Sequence, residues 1–175
     1  VNLSEIESVI SAIKCAIYEA KGDNTSRILK EQAEYLSDYA LGFKPYPQIC
    51  FELIVDFLSN RNLFEKRGAG HFVFEVLTDL YKFDENQRGQ LVSVIESNFK
   101  HYNDSNLCRK LCLAIVLNYK ADMTVNLFRS LYPQASRAGK IGIALALNII
   151  VSDSPLNSHL VTEISIILAS GDLNA

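Results

Sequence analysis

The side chains of this chain that carry reactive chemistry are few and widely spaced. His71, His101 and His159 are the histidines, and Cys15, Cys50, Cys108 and Cys112 are the thiols. His71 and Glu75 stand four apart, so on a helix both can face one ligand. A zinc or di-metal site needs further ligands at matched spacing, and no second Glu-x-x-His partner follows. Cys108 and Cys112 are stacked on consecutive helical turns, and inside an apolar pattern a free thiol behaves as a small hydrophobe. Gly68–Ala69–Gly70 lacks both the further glycine and the preceding strand of a phosphate-cradling loop. Nothing local pairs a nucleophile with its base. The expectation is a chain with no catalytic residue, no metal and no cofactor.

The carboxylates are more ordered. Glu52 and Asp56 are four apart, as are Glu75 and Asp79, and Glu31, Glu34 and Asp38 lie upstream. Like charges at this spacing cost an isolated helix about 0.2–0.5 kcal/mol per pair. If their helices pack side by side, these seven residues form one acidic ridge suited to a basic protein partner. As charged helix faces in water they need no function at all. Residues 1–80 hold 12 acidic and 8 basic side chains, and residues 81–175 hold 8 and 9, so the surplus sits in the first half. A net charge of −3 and a pI near 5.6 argue against a protein made to bind phosphate backbones directly. Phe43–Lys44–Pro45–Tyr46–Pro47 puts aromatics on a proline-stiffened loop, where they serve either as interface anchors or as a lid on the end of a core.

The elements that must position these residues are helices, because apolar side chains recur at three and four residues almost throughout. Leu3, Ile6, Val9/Ile10, Ile13 and Ile17 mark a first helix ending at Gly22. Asp23–Ser26 caps a second, which ends near Gly42. Pro47 opens a third that stops at Ser59–Asn60. Gly68 and Gly70 open a fourth, Asp84 caps a fifth, Asn103–Asp104–Ser105 caps a sixth, Asp122 starts a seventh and Ser136 an eighth. Ser154–Pro155 starts a ninth, closed by Gly171. β-branched residues in 141–151 and 160–167 would also suit strands, but no hairpin turn supports them. With 49% apolar and 21% charged residues, the 175-residue chain is predicted to be a single all-α domain over residues 1–175. Glu5 and Glu7 interrupt any secretory signal, and Ile141–Val151 is too short to span a bilayer. Four cysteines within apolar helices suit a reducing cytosol. A cytoplasmic chain without membrane contact is therefore expected.

Leu80–Tyr81–Lys82–Phe83–Asp84 recurs as Asn118–Tyr119–Lys120–Ala121–Asp122, and Leu117–Asn118 recurs as Leu147–Asn148. Each time an apolar helix ends, a short turn follows, and an aspartate opens a more amphipathic helix. Over about residues 46–170 this resembles the HEAT and armadillo class of α-solenoids, in which helix pairs stack because no single pair buries its apolar face. The resemblance implies antiparallel helix pairs, with 68–81, 107–119 and 138–151 sandwiched inside. A plain helical bundle is the alternative. Size, acidity and architecture together also resemble some bacterial immunity proteins of the contact-dependent-inhibition type. That implies a non-enzymatic inhibitor occluding a basic, nuclease-like toxin, with Glu31, Glu34, Asp38, Glu52, Asp56, Glu75 and Asp79 as the contact residues. Two other readings stand beside it: a scaffold piece of a longer HEAT-like protein, which should expose an apolar face on a terminal helix, and a glycosylase-like nucleic-acid enzyme. The latter calls for tryptophan and a basic groove, and the chain has no tryptophan.

Overall fold

A computed structural model describes residues 3–78, 80–153 and 158–172. Among these, every regular element is helical: α1 (Leu3–Glu19), α2 (Thr25–Leu41), α3 (Gln48–Ser59), α4 (Arg61–Phe64), α5 (Ala69–Leu77), α6 (Glu85–Asn98), α7 (Ser105–Asn118), α8 (Ala121–Leu131), α9 (Arg137–Asp153) and α10 (Ser158–Asp172). The β-branched stretches lie within α9 and α10, and no strand occurs among the described residues. The two short apolar runs become helices because their buried positions, such as Ile143, Ala146, Leu147 and Ile150, recur at three and four residues.

The helix ends follow local chemistry. Asp84 accepts from the Gln87 amide nitrogen at 2.8 Å while the Gln87 side chain accepts from the Asp84 amide, a reciprocal capping box. Asp104 caps α7 through the Leu107 amide at 2.7 Å. Ser136 stands before α9 and accepts from the Gly139 amide while donating to the Tyr102 carbonyl. Asp122 does not cap α8. Lys120 takes that place in an extended conformation, and Asp122 lies in the first turn, where a carboxylate meets the positive end of the helix dipole. Pro47 precedes α3 rather than opening it. Helix α10 runs through Gly171 to Asp172, and its expected start at Ser154–Pro155 lies outside the described residues. The segment after Asn60 holds the one helix that the spacing does not announce. Asn60 caps α4 by accepting from the Asn62 amide, which turns Leu63 and Phe64 into the core from among charged neighbours.

Packing sorts the helices into two rows. Helix α2 packs on α5, α5 on α7, and α7 on α9, forming an inner row; α1 packs on α3, α3 on α6, and α8 on α10 in an outer row. Each inner helix thus follows an outer one in the chain, an arrangement compatible with a helical-repeat fold. The core lies between the rows. Phe57 stacks on Phe72 with ring centroids 4.1 Å apart, and Tyr102, fully buried, meets Phe64 and Phe99 edge-on. The Tyr102 hydroxyl donates to the Leu58 carbonyl at 2.6 Å, so the one polar atom of that ring is satisfied inside the core. Tyr46, from the proline-stiffened loop, is buried edge-on against Phe83 at 4.9 Å, and Phe43 packs on Tyr39; the loop covers the end of the core.

The inner helices approach more closely than ordinary side chains allow. A Cβ built on Gly142 of α9 would lie 2.9 Å from the Cys108 carbonyl carbon and oxygen of α7, and one on Gly70 of α5 would lie 2.8 Å from the Asn106 carbonyl oxygen. Gly68, at φ 90°, occupies the left-handed region, and its Cβ would meet Ser26 of α2 at 2.7 Å. Backbone-to-backbone seams therefore join the inner row, while the outer row rests on larger side chains and leaves open grooves beside α6.

Candidate partner-binding surfaces

The structure divides the seven carboxylates. Helices α3 and α5 meet through Phe57 and Phe72 but belong to different rows, with Glu52 and Asp56 beside α1 and Glu75 beside α2, so the contact between the two helices does not gather the carboxylates into a single ridge. Glu52 and Asp56 lie on the outer row beside α1. There Asp56 accepts from the Tyr18 hydroxyl at 2.8 Å and pairs with Lys14 at 3.3 Å, and Glu52 accepts from the Gln48 amide at 3.4 Å. Glu31, Glu34 and Asp38 are exposed on α2, in the inner row, and half-buried Glu75 lies on the neighbouring α5, where its carbonyl accepts from Ser37 of α2. Asp79 lies outside the described residues.

On α2, Arg27, Glu31, Glu34 and Asp38 recur at four, three and four residues and so form one stripe. Arg27 pairs with Glu31 at 2.7 Å, and Lys30 with Glu34 at 3.8 Å. Exposed i,i+4 pairs of this kind contribute about 0.3–0.5 kcal/mol each. Asp38 and Glu75 form no ion pair with a described residue. The stripe is acidic on balance, but part of its charge is already matched by its own helix.

The opposite end of the inner row has a different make-up. Helix α7 contains no acidic residue, and α9 contains only Asp153 at its last position, whereas Arg109, Lys110, Arg137 and Lys140 lie on the two helices. Ile141 and Leu145 of α9 are 50% and 48% exposed, on the side of that helix away from its buried stripe. Between the helices runs a groove of about 410 Å³ whose lining includes Leu113, Leu145 and Ile149, with Arg109 and Lys110 on its α7 wall. The Lys110 ammonium lies 4.7 Å from the centre of the Phe74 ring. A second groove, of about 710 Å³, opens between α6 and α8 and is lined by Tyr81, Val92, Leu117 and Met123. Leu117 is one helical turn beyond Leu113, so exposed apolar surface continues from one groove toward the other.

These residues were absent from the acidic-ridge reading. The signal that marks them is the pair Arg109–Lys110 inside an otherwise apolar helix, together with Ile141 and Leu145 at helical spacing outside the core stripe of α9. An apolar run read only for its hydrophobicity conceals which of its positions face water.

His71 is exposed on α5 and His159 on α10, where it lies 3.9 Å from Glu163. Glu163 also pairs with Arg129 of α8, which ties the last helix to the outer row. No group of three or more metal-ligating side chains forms among the described residues, and none of their helices is long and apolar enough to cross a membrane. Cys50, Cys108 and Cys112 are buried, and burial pushes their thiols up, Cys50 to about 11 and Cys108 to about 12. Cys15 is exposed, and its hydrogen bond to Glu19 holds its thiol above the ordinary value. With an aromatic disulfide reagent at about pH 8, one thiol equivalent is expected to react in the native protein and three more only after denaturation. Early reaction of Cys108 or Cys112 would mean that the α7–α9 seam opens on its own.

No protein-family model matches this chain, and no curated protein or solved structure matches it either.

Proposed function

We propose that the chain is a non-catalytic protein-binding module that holds its partner along the outward face of the inner row. The observation that carries this reading is the composition of that face. It runs from the carboxylates of α2 and α5 to an apolar groove flanked by cations on α7 and α9, over helices fixed to one another by backbone seams. A rigid face of this kind docks a partner with little ordering cost. Its mixed charge gives orientation as well as attraction.

The finer form of this reading is an inhibitor that neutralises a basic toxin domain. It draws support from the chain's size, its net charge of −3 and its helical-repeat architecture. In that form Glu31, Glu34 and Asp38 take the place of nucleic-acid phosphates against the toxin, with Glu75 beside them. Glu52 and Asp56 lie on the other row and drop out of the contact.

The test is capture of the product of the neighbouring reading frame, and of source-cell lysate, by the wild-type chain and by a Glu34→Lys/Asp38→Lys variant. The expected result is a one-to-one complex with a basic domain. In the variant, association should be about tenfold slower and less sensitive to salt, because charge steering acts mainly on the encounter. An association rate and salt dependence identical to wild type would remove the acidic end from the interface.

A further inference from the structure

We infer that the groove between α7 and α9 seats one amphipathic helix of the partner, bearing a ridge of apolar side chains flanked by carboxylates. The inference rests on the protein-binding reading above and adds the chemistry that the partner brings to this end of the face.

The groove's walls exclude other occupants. Both are helices whose backbone groups are engaged within their own turns, so an extended segment laid between them would find few partners for its N–H and C=O groups. A helix arrives with its backbone already satisfied and needs only apolar contact, the mode in which a ridge of i, i+4 and i+7 anchors enters a groove. The length agrees. Gly142 to Ile149 covers two turns of α9, about 10 Å of axial rise, the span between anchors i and i+7 on an incoming helix. Gly142 brings α9 against the α7 backbone, so the bottom of the groove is shallow and apolar, and Leu113, Leu145 and Ile149 rise beside it.

Charge sets the rest of the partner's chemistry. Arg109 and Lys110 stand at the groove, Arg137 is exposed one turn before Ile141, and none of the three forms an ion pair with a described residue. The only acid on either helix is Asp153, at the far end of α9. Covering this end with a neutral or basic surface would take Arg109 and Arg137 from water with no ionic partner and leave Lys110 only the Phe74 ring, whereas carboxylates beside the apolar ridge form charge-assisted hydrogen bonds to all three. A nucleic acid would satisfy the cations but leave Leu113, Leu145 and Ile149 without apolar contact.

The test titrates the full chain against fluorescein-labelled synthetic helical peptides of about 15 residues, followed by anisotropy. One peptide carries leucines at i, i+4 and i+7 with flanking glutamates, a second has lysine for each glutamate, and a third has alanine for each leucine. The first peptide is expected to bind at least about tenfold more tightly than either of the others, and to weaken as salt rises. Its binding should be lost in Leu145→Asp and in Arg109→Glu/Lys110→Glu, and the lysine peptide should then bind the charge-swapped variant. Equal binding of the three peptides, or binding of the first that neither variant alters, overturns the inference. So does a short single-stranded oligonucleotide that displaces the first peptide with higher affinity, or a dimer of the chain that both variants dissolve and that excludes the peptides. A natural partner captured equally by wild type and by both groove variants overturns this inference and leaves the module reading standing. Failure of every form to capture a partner, with no peptide bound, defeats both.

Discussion

Replacing Gly142 by valine is expected to lower stability by about 3 kcal/mol, the upper part of the range for overpacking a filled interior. Any Cβ at this position would stand 2.9 Å from the carbonyl carbon and oxygen of Cys108 and 3.2 Å from the Arg109 nitrogen. Those atoms are backbone, so no side-chain rotation relieves the contact, and α9 must move away from α7 as a body. The small gain in helix propensity on leaving glycine offsets only about 0.5 kcal/mol of this. For a chain of this length the loss corresponds to a fall of roughly 6–12 °C in Tm. Gly89 supplies the control within the same molecule. It lies exposed in α6 with no atom within 4 Å of a built Cβ, so Gly89→Ala should raise stability by up to about 1 kcal/mol. Thermal and urea unfolding of both variants decides the matter. A Gly142→Val protein as stable as wild type would show that the inner seam is not a close backbone contact.

A larger effect is expected from alkali. Cys50 and Cys108 are buried and titrate at about 11 and about 12 in the fold, against 9.0 for an exposed thiol, because burial disfavours the thiolate. The unfolded chain releases these protons first, so stability is complete below about pH 9 and declines as the pH rises through the folded values. From neutral pH to pH 11 each thiol withdraws roughly 2 to 3 kcal/mol. Together they remove about 5 kcal/mol, comparable with the whole stability of a modest domain. Cys112, Tyr46 and Tyr102 are shifted upward by burial in the same direction and add to the decline above about pH 10. Circular dichroism at the helical band should show cooperative unfolding by about pH 11. Cys108→Ala, which removes one of the ionising groups, should move that transition to higher pH. Helical signal unchanged through pH 11 would contradict the burial of these groups.

How much of this was readable in advance depended on whether the cause was local. Asp84 with Gln87, and Asp104 before α7, announce helix starts through side chains three residues from the amides they satisfy. The spacing of Ile6, Ile10, Ile13 and Ile17 announces a buried face. The Tyr–Lys–x–Asp match at Tyr81 and Tyr119 marks two equivalent turns from inner to outer row, although the second aspartate lies two residues further into its helix than the first. Row membership was less accessible. It is set by which helices tolerate close approach, and a glycine such as Gly70 or Gly142 reads equally well as a flexible point until its neighbour is known. Hence spacing alone groups Glu52 and Asp56 with Glu75, although α3 and α5 lie in different rows. Helix α4 escaped notice because Leu63 and Phe64 sit among Arg61, Glu65, Lys66 and Arg67, where the charged majority masks a two-residue apolar anchor.

The seams at Gly68, Gly70 and Gly142 also have a mechanical consequence. A stack whose members touch backbone to backbone along one row and through side chains along the other behaves like a beam with its neutral line displaced toward the stiff side. Flexing stretches or compresses the compliant row, widening or narrowing the opening beside α6, while distances along α2, α5, α7 and α9 stay nearly constant. The outward face of the inner row is therefore expected to act as a gauge of fixed length, with flexing taken up on the opposite side of the molecule.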